Sequence, residues 1–573
     1  MNEKAYMFPT SKKEVEALGW DYIDVIIFTG DAFVDHPSFG TACIARWLQK
    51  FGYRVAVVPQ PNWRDDLRDF KKLGIPRLYF AVNSGAMDSM VNHYTAAKRI
   101  RHDDAYTPDG RAGQRPDYAV TVYSRILKKL YPDIPLVIGG IEASLRRLTH
   151  YDWWKDSLLP SILVTAGADY LSYGMGEKTI LELTRGIEAG RNLSDMRRIP
   201  QIAFFMTGRP KVKDAVVLES YENCLKDKAA LARNFHEIET HANMMHPSVI
   251  IEPVGDGYVQ VNPPYPPSTE EEMDSFWDLP FTKLPHPRYR DKRIPAYDMI
   301  KYSITTHRGC FGGCNFCTIA AHQGKFIQSR SEKSIKDEVR TLVGLPGFAG
   351  NISDLGAPTA NMYGMKGKNL DVCDVCRRKS CLYPAPCPNL DRSHARLLKL
   401  YKEVDSIRGI RHSYIGSGIR YDLFLNEKGY VDKTSRPYLR ELILNHTSGR
   451  LKVAPEHTED KVLHYMAKPS FKLFERLRIE FDKITSEEGR RTGIVPYFIS
   501  SHPGCTMRDM EKLSRNPALK GIFMEQVQDF TPTPMTTASV MFYSGIDPRD
   551  MKPVFVERDL EKKKLQKSFF FKK

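Results

Sequence analysis

The sequence Thr306-His-Arg-Gly-Cys-Phe-Gly-Gly-Cys-Asn-Phe-Cys317 carries three cysteines, Cys310, Cys314 and Cys317, on one short loop. At this spacing the three thiolates can converge on a single metal centre. A closed structural zinc site has four protein ligands, and an ordinary iron–sulfur cluster is also held by four cysteines. A cluster held by three cysteines therefore leaves one iron free to bind a substrate or cofactor. The alternatives are three cysteines of unrelated role, or part of a zinc site.

The residues between the cysteines fit a loop that wraps around a cluster. Gly309, Gly312 and Gly313 reach backbone conformations that other residues avoid, so the chain can curl tightly there. Phe311 and Phe316 can shield a cluster from water, which would influence its redox potential.

From residue 295 onward the sequence alternates strand-like apolar runs with helical stretches, as in a parallel α/β fold. The first predicted strand delivers the cysteine loop from its carboxyl end, where full barrels of this kind place their active-site residues. The six strands are predicted at residues 302–306, 350–353, 411–416, 450–453, 494–499 and 522–527.

The N-terminal third predicts a second parallel sheet. Its strands are expected at residues 22–28, 54–58, 77–82, 136–138 and 170–172, so residues 1–200 form a Rossmann-like domain whose ligands would sit beyond the strands' carboxyl ends. Charged helical sequence and the prolines of residues 263–267 predict a connector over residues 201–295. The second α/β domain, with its six predicted strands, is expected over residues 296–545. The lysines of residues 546–573 predict a solvated basic tail.

Composition limits the class of protein. The net charge of +15 favours contact with nucleic acid, an anionic membrane or an anionic substrate, and does not choose among them. The N-terminal residues lack the apolar core of a signal peptide, and no apolar run is long enough to cross a bilayer. Seven of the ten cysteines are clustered in metal-like spacings, which suits a reducing cytosol better than a disulfide scaffold. We therefore expect a cytoplasmic protein without membrane insertion.

A second group of cysteines lies in a predicted insertion at residues 365–390, between the second and third strands of the second α/β domain. Cys373, Cys376, Cys381 and Cys387 fall within fifteen residues, among charged residues and prolines, which is not a packing pattern. Their number suits a closed site with four ligands, and both zinc and an auxiliary [4Fe–4S] cluster fit it. The third alternative is that they bind no metal.

The cysteine loop, with its aromatic residue before the last cysteine, resembles the signature of the radical S-adenosylmethionine (radical SAM) superfamily. The chain as a whole resembles the YgiQ family within it, on the segments 31–40, 310–317, 321–329, 353–363 and 526–534. The resemblance implies a partial (βα)6 barrel and a [4Fe–4S] cluster whose open iron binds SAM. It also implies an external one-electron reductant such as flavodoxin or ferredoxin, and reductive cleavage of SAM to a 5′-deoxyadenosyl radical. It does not name the substrate.

In this fold the loops after strands two and three contact SAM. Asp354 and backbone carbonyls near Gly356 would accept hydrogen bonds from the amino group of SAM. The usual Gly-Gly-Glu of the superfamily is not present in this loop. Ser417 offers a hydroxyl to the ribose or methionine, and Arg420 could pair with the methionine carboxylate. The alternatives are an ordinary turn at Asp354 and a surface ion pair between Arg420 and Asp422.

The N-terminal domain resembles the cobalamin-binding-type domain of some radical SAM proteins. The common Asp-x-His-x-x-Gly motif is not present around His36, so we expect a hydrogen-bonding loop histidine there and do not expect cobalamin. The leading functional hypothesis is a radical SAM enzyme, with RNA or protein modification as options for its substrate. The competing class is a non-catalytic iron–sulfur binding or redox-sensing protein.

Overall fold

The computed structural model describes residues 7–522 and 524–571 of the 573-residue chain. In the N-terminal half of this part, the strands are β1 Val25–Thr29, β2 Val55–Pro59, β3 Tyr79–Asn83, β4 Leu136–Ile138, β5 His150–Asp152, β6 Ser157–Leu159, β7 Tyr170–Ser172, β8 Ile202–Thr207, β9 Val216–Val217, β10 Ile250–Val254 and β11 Gly257–Val261. Its helices are α1 Lys12–Ala17, α2 Gly40–Lys50, α3 Arg68–Lys71, α4 Ser89–His93, α5 Ala119–Leu130, α6 Gly140–Leu145, α7 Ile162–Ala166, α8 Glu177–Glu188, α9 Leu193–Met196, α10 Tyr221–Lys226, α11 Lys228–Ala242, α12 Glu270–Trp277 and α13 Pro295–Ile300.

The C-terminal half repeats the alternation of strands and helices. Its strands are β12 Ser303–Thr305, β13 His307–Arg308, β14 Gln328–Ser329, β15 Asn351–Ile352, β16 Asp354–Gly356, β17 His412–Ser413, β18 Leu425–Asn426, β19 Gly429–Tyr430, β20 Arg450–Glu456, β21 Gly493–Ser500 and β22 Gln526–Asp529. Its helices are α14 Ile319–Gln323, α15 Glu332–Val343, α16 Leu370–Asp374, α17 Ala395–Asp405, α18 Ser435–Asn445, α19 Asp460–Met466, α20 Lys472–Glu487, α21 Met507–Ser514, α22 Thr537–Ser544 and α23 Leu560–Ser568.

The predicted N-terminal parallel sheet is confirmed. Strands β2, β1, β3, β4 and β7 lie side by side in that order, and each pairs in parallel with its neighbour. All five residues of β1 and of β2 are buried, because helices cover both faces of the sheet. The order of strand addition reverses at β1, because β2 lies on one side of it and β3 on the other, and this opens a crevice at the carboxyl ends of β1 and β3.

Residues 201–295 differ from the predicted connector. Strands β8, β11, β10 and β9 extend the same sheet beyond β7, with β8 and β11 antiparallel to their neighbours. Strand β8 begins with three fully buried residues, and β11 is buried at four of its five positions. These strands were missed because charged helical sequence, which forms α11, and the prolines of residues 263–267 dominate the pattern of this segment.

The predicted partial barrel is confirmed. Strand β12 pairs in parallel with β16, and β15, the preceding part of the same second strand, pairs with β17. A parallel bridge between Ile419 and Val453 continues the order to β20, which pairs with β21 and then β22. The sixth strand lies at β22, later than predicted, and Phe523 of the predicted range lies outside the described residues.

The solvated basic tail is corrected in its described part. Helix α23 packs one face against the barrel, and its Lys563 and Gln566 are buried. Lys563 Nζ donates to the carbonyl of Phe530 at 3.0 Å. Only the other face of this lysine-rich helix is solvated, while Lys572 and Lys573 lie outside the described residues. In the described residues no helix combines the length and the apolar character that a membrane span requires.

Candidate active site at the cysteine loop

The cysteine loop is held closed by a short antiparallel pair. Strand β13 directly precedes the loop and pairs with β14, which follows helix α14. The amide of Cys310 donates to the carbonyl of Gly324 at 3.1 Å across this hairpin. Gly309 has φ +91°, and a Cβ there would lie 2.2 Å from the carbonyl oxygen of Phe326. Glycine is therefore required at this entry to the loop, both for its conformation and for space.

The three cysteines of the loop are half-buried. Burial raises the pKa of Cys317 to about 12 and also raises the pKa of Cys310, and the charge of Cys314 adds to both shifts. Arg420 Nη1 donates to Cys314 Sγ at 3.2 Å, and Thr359 Oγ1 lies 3.5 Å from Cys310 Sγ. Buried thiols with raised pKa values bind as thiolates only when a cation offsets their charge, so this donor set fits a metal centre.

Three thiols on one loop can serve as ligands of a metal centre. A single zinc draws all its sulfur ligands to about 2.3 Å from one point. In an iron–sulfur cluster each thiolate binds a different iron. Cys310, Cys314 and Cys317 are the residues that would hold such a cluster.

The predicted SAM contacts Asp354, Gly356 and Ser417 lie together at the carboxyl ends of strands two and three. Asp354 Oδ1 accepts from the amides of Gly416 at 2.9 Å and Ser417 at 3.2 Å, and the Ser417 hydroxyl donates to Asp354 Oδ2. These three bonds leave an acceptor position on the carboxylate. The Gly356 carbonyl is occupied by the amide of Thr306 at 2.8 Å. A side chain on Gly356 would crowd Asp354 and Ser417.

Arg420, the fourth predicted contact, lies at the cysteines instead. Its Nε and Nη2 donate to the two carboxylate oxygens of Asp422 at 2.9 and 2.5 Å. The ion pair with Asp422 that the sequence offered as the alternative is thus present, but it is buried and not on the surface. With its remaining Nη1 on Cys314, Arg420 is a cysteine-loop residue.

A cavity of about 600 Å³ separates the N-terminal sheet from the barrel. It lies beyond the carboxyl ends of β1, β3, β4 and β7 on one side and beyond β12 and β16 on the other. The polar side chains that line it come from both halves of the chain: Ser38, Thr41, Asn83, Ser172, Glu177, Ser303, Thr305, His307, Arg308, His322, Gln323, Asp354 and Ser417.

Several residues of this cavity were not singled out by the sequence. Arg308 Nη2 donates to Glu177 Oε1 at 2.6 Å, and this buried pair joins the two halves of the chain. His307 is fully buried with no partner for its Nε2, and burial lowers its pKa to about 3, so its ring is neutral. The hydroxyl of Ser172 also has no partner. Their only sequence signal is position, since His307 and Arg308 immediately precede the glycine of the cysteine loop.

The second cysteine set lies against the first. The amide of Cys381 donates to the carbonyl of Phe311 at 3.0 Å, and Ser380 Oγ donates to the carbonyl of Gly312 at 2.8 Å. Burial, then the charges of Cys376 and Cys387, raise the pKa of Cys373. Burial also raises the pKa of Cys381, against the opposing charge of Lys325 and with the charges of the other three thiols. The four thiols are therefore close enough to interact.

Two further residues lie away from the cavity and from the two cysteine sets. His36 is buried and does not line the cavity, and its Nδ1 accepts from the amide of Ser38 at 3.1 Å, as expected for a loop histidine. Cys505 at the barrel mouth is completely buried, and burial raises its pKa to about 12, which makes this thiol unreactive.

Comparison with known proteins gives two matching family models. The family described as radical SAM N-terminal matches residues 7–303, and a domain of unknown function matches residues 525–572. The chain is 55% identical to a UPF0313 protein of Bacteroides thetaiotaomicron, over 98% of this chain and 93% of that protein. It is 52% identical to a UPF0313 protein of Porphyromonas gingivalis, over 98% and 90%.

Among solved structures, the radical SAM methyltransferase TsrM from Kitasatospora setae, with cobalamin and a [4Fe–4S] cluster bound, matches with a TM-score of 0.48. The identity is 15%, over 90% of this chain and 74% of that chain. The sequence comparisons decide the family. This chain belongs to the UPF0313 family and carries a radical SAM N-terminal region.

Proposed function

We propose that this protein is a radical SAM enzyme that cleaves S-adenosylmethionine reductively at a [4Fe–4S] cluster held by Cys310, Cys314 and Cys317. The observation that carries the proposal is a buried loop with three thiols, one of which accepts a hydrogen bond from the Arg420 guanidinium. When bound, the cluster supplies the electron and the open coordination site. A reductant such as flavodoxin or ferredoxin would supply that electron from outside.

The residues of this chain hold and orient SAM around that centre. Asp354 keeps one acceptor position for the SAM ammonium, and the amides of Gly416 and Ser417 hold the carboxylate in place. The absence of a side chain on Gly356 lets the ligand approach the strand ends closely. Arg420 stays with the cysteines, where its positive charge favours the anionic thiolates.

The substrate would occupy the cavity between the sheet and the barrel. Polar side chains that line the cavity, among them Asn83, Thr305 and Gln323, would offer it hydrogen bonds. A small molecule, or a single residue or nucleotide of a protein or RNA, fits about 600 Å³. The proposal needs no cobalamin, although the cavity lies where a second ligand of an α/β sheet would bind.

The experiment is SAM cleavage by anaerobically reconstituted, reduced protein. We expect 5′-deoxyadenosine and methionine in equal amounts, and neither above background from the Cys314→Ala variant. A Cys505→Ala variant is the matched control, because it removes a buried thiol outside both cysteine sets. Deoxyadenosine at the level of the Cys314→Ala variant, from protein whose cluster is intact, would favour the competing class of a non-catalytic iron–sulfur protein.

A further inference from the structure

The insertion in the barrel carries a site that the proposed reaction does not use. Cys373, Cys376, Cys381 and Cys387 are all free thiols and none is fully exposed. The backbone folds them into one compact turn, with the amide of Cys376 on the carbonyl of Cys373 at 3.1 Å and the amide of Cys387 on the carbonyl of Cys381 at 2.7 Å. Four thiols gathered in this way form the ligand set of a closed metal centre.

A buried cation lies beside these thiols. Lys325 is 2% exposed, and its ammonium donates to the carbonyls of Asn243 and Arg378. Among the described residues it makes no ion pair within 4 Å, and its charge acts on Cys373 and Cys381. Burying an ammonium without a counter-charge costs several kcal/mol. Four neutral thiols do not offset that cost, whereas a metal centre with four thiolates carries the negative charge that does.

The surroundings of the four thiols fit an iron–sulfur cluster. Cys373 Sγ accepts from Asn389 Nδ2 at 3.5 Å, and Cys376 Sγ accepts from the amide of Arg378 at 3.4 Å. Hydrogen bonds to sulfur are among the features that tune iron–sulfur clusters.

An apolar shell connects the two cysteine sets. Phe311 from the first loop packs with Leu382 and Leu390 from the insertion, and Cys310, Cys381 and Cys387 lie against this group. A dry wall of this kind controls solvent access to a redox centre. We infer that Cys373, Cys376, Cys381 and Cys387 bind a second [4Fe–4S] cluster with no open iron, and that Lys325 is its buried counter-charge.

The test is a metal count on anaerobically reconstituted protein. We expect the Cys373→Ala/Cys376→Ala variant to lose roughly four irons and four sulfides per chain. The control Cys43→Ala/Cys224→Ala removes two buried thiols outside both sets and should lose none. Loss of zinc instead of iron, loss of only two irons, or no loss of metal would each overturn the inference.

Two spectroscopic measurements separate this site from the first. The variant with Cys310, Cys314 and Cys317 replaced by Ala should keep four irons and give a reduced-cluster EPR signal that SAM does not change. This result is expected whether or not the wild type cleaves SAM. Lys325→Met should lower the fraction of this signal obtained at a fixed potential, while Lys333→Met, at an exposed lysine, should not. If both lysine variants give the same fraction of reduced-cluster signal, Lys325 is not the counter-charge of this cluster.

Discussion

Single glycines in the cysteine loop show how the backbone makes room for a cluster. Gly309 and Gly324 face each other across the hairpin and have nearly the same φ, +91° and +89°. A Cβ on Gly324 would meet nothing within 4 Å, whereas a Cβ on Gly309 would clash with the carbonyl of Phe326. The two positions therefore separate backbone strain from loss of space.

We predict that Gly309→Ala loses the iron of the first cluster, roughly four atoms per chain, because the loop must move away from Phe326. Gly324→Ala adds only the conformational strain of its backbone, φ +89° and ψ +164°, about 1–3 kcal/mol, and should keep its iron. Iron content after reconstitution, with the unfolding midpoint measured beside it, checks both. Equal iron in the two variants would show that the space at Gly309 is not needed.

The sequence predicted which residues form the site better than it predicted which side chains those residues contact. Cys310, Cys314 and Cys317 are recognisable because a three-thiol spacing has few other uses. The position of Arg420 was not predictable, because its side chain can reach either the cavity or the cysteines, and the buried Asp422 decides between them. The contact between Glu177 and Arg308 joins residues 131 positions apart, and no local pattern records it.

At the scale of elements, helix α23 shows why a charged segment need not be a solvated tail. Its Lys563 is 3% exposed and lies over the rings of Trp153 and Phe542, at 4.7 and 5.4 Å from their centres. Burial lowers the pKa of Lys563 from 10.5 to about 8, against the charge of Asp529, while Lys98 lowers it further. In the folded protein the ammonium is thus less favoured than in the unfolded chain.

We predict that this helix gains stability as the pH rises from about 8 to 10.5, because the unfolded chain then binds more protons than the folded one. Below pH 8 both states are protonated and the penalty, about 3 kcal/mol, is fully present. Lys563→Met should therefore be most stabilised relative to wild type at neutral pH, with the difference shrinking toward pH 10.5. Chemical denaturation across this range, with the exposed Lys562→Met as control, measures it. A difference that does not change with pH would contradict the prediction.

Strand length does not separate the strands that the sequence predicted from those that it missed. β1 and β2 were predicted because each is an unbroken run of five buried residues. β10 and β11 also have five residues and β8 has six, but their segment is dominated by charged helical sequence and prolines, and β9 has only two residues. Strand β11 joins the sheet by pairing with β8, and a pairing between separate segments of the chain leaves no pattern in the local sequence.

At the scale of the whole molecule, the sheet and the barrel face each other across one cavity. The buried pair of Glu177 and Arg308 joins them, with Glu177 at the start of α8 and Arg308 at the entry of the cysteine loop. Arg308 also lies over the ring of Trp277 at 4.4 Å. At this place in the junction, the Arg308 guanidinium therefore makes both a charge contact and an aromatic contact, beside the apolar core that the two halves share around Phe530 and Phe542.

We predict that Arg308→Gln or Glu177→Gln alone lowers the free energy of unfolding by about 3–5 kcal/mol, because each leaves a buried charge without its partner. The double variant should lose less free energy of unfolding than the sum of the losses in the two single variants, since neither buried charge then remains. A double-mutant cycle by chemical denaturation measures this coupling. Additive effects would mean that the pair does not hold the two halves together.

The central claim is that the cluster at Cys310, Cys314 and Cys317 has an open iron that binds SAM. The most direct measurement is the EPR spectrum of the reduced Cys373→Ala/Cys376→Ala variant, with and without SAM, because this variant leaves only the first set of cysteines intact. We predict that SAM changes the g values of the cluster signal, and that the change weakens in Asp354→Ala. A cluster signal that is identical with and without saturating SAM would contradict the account.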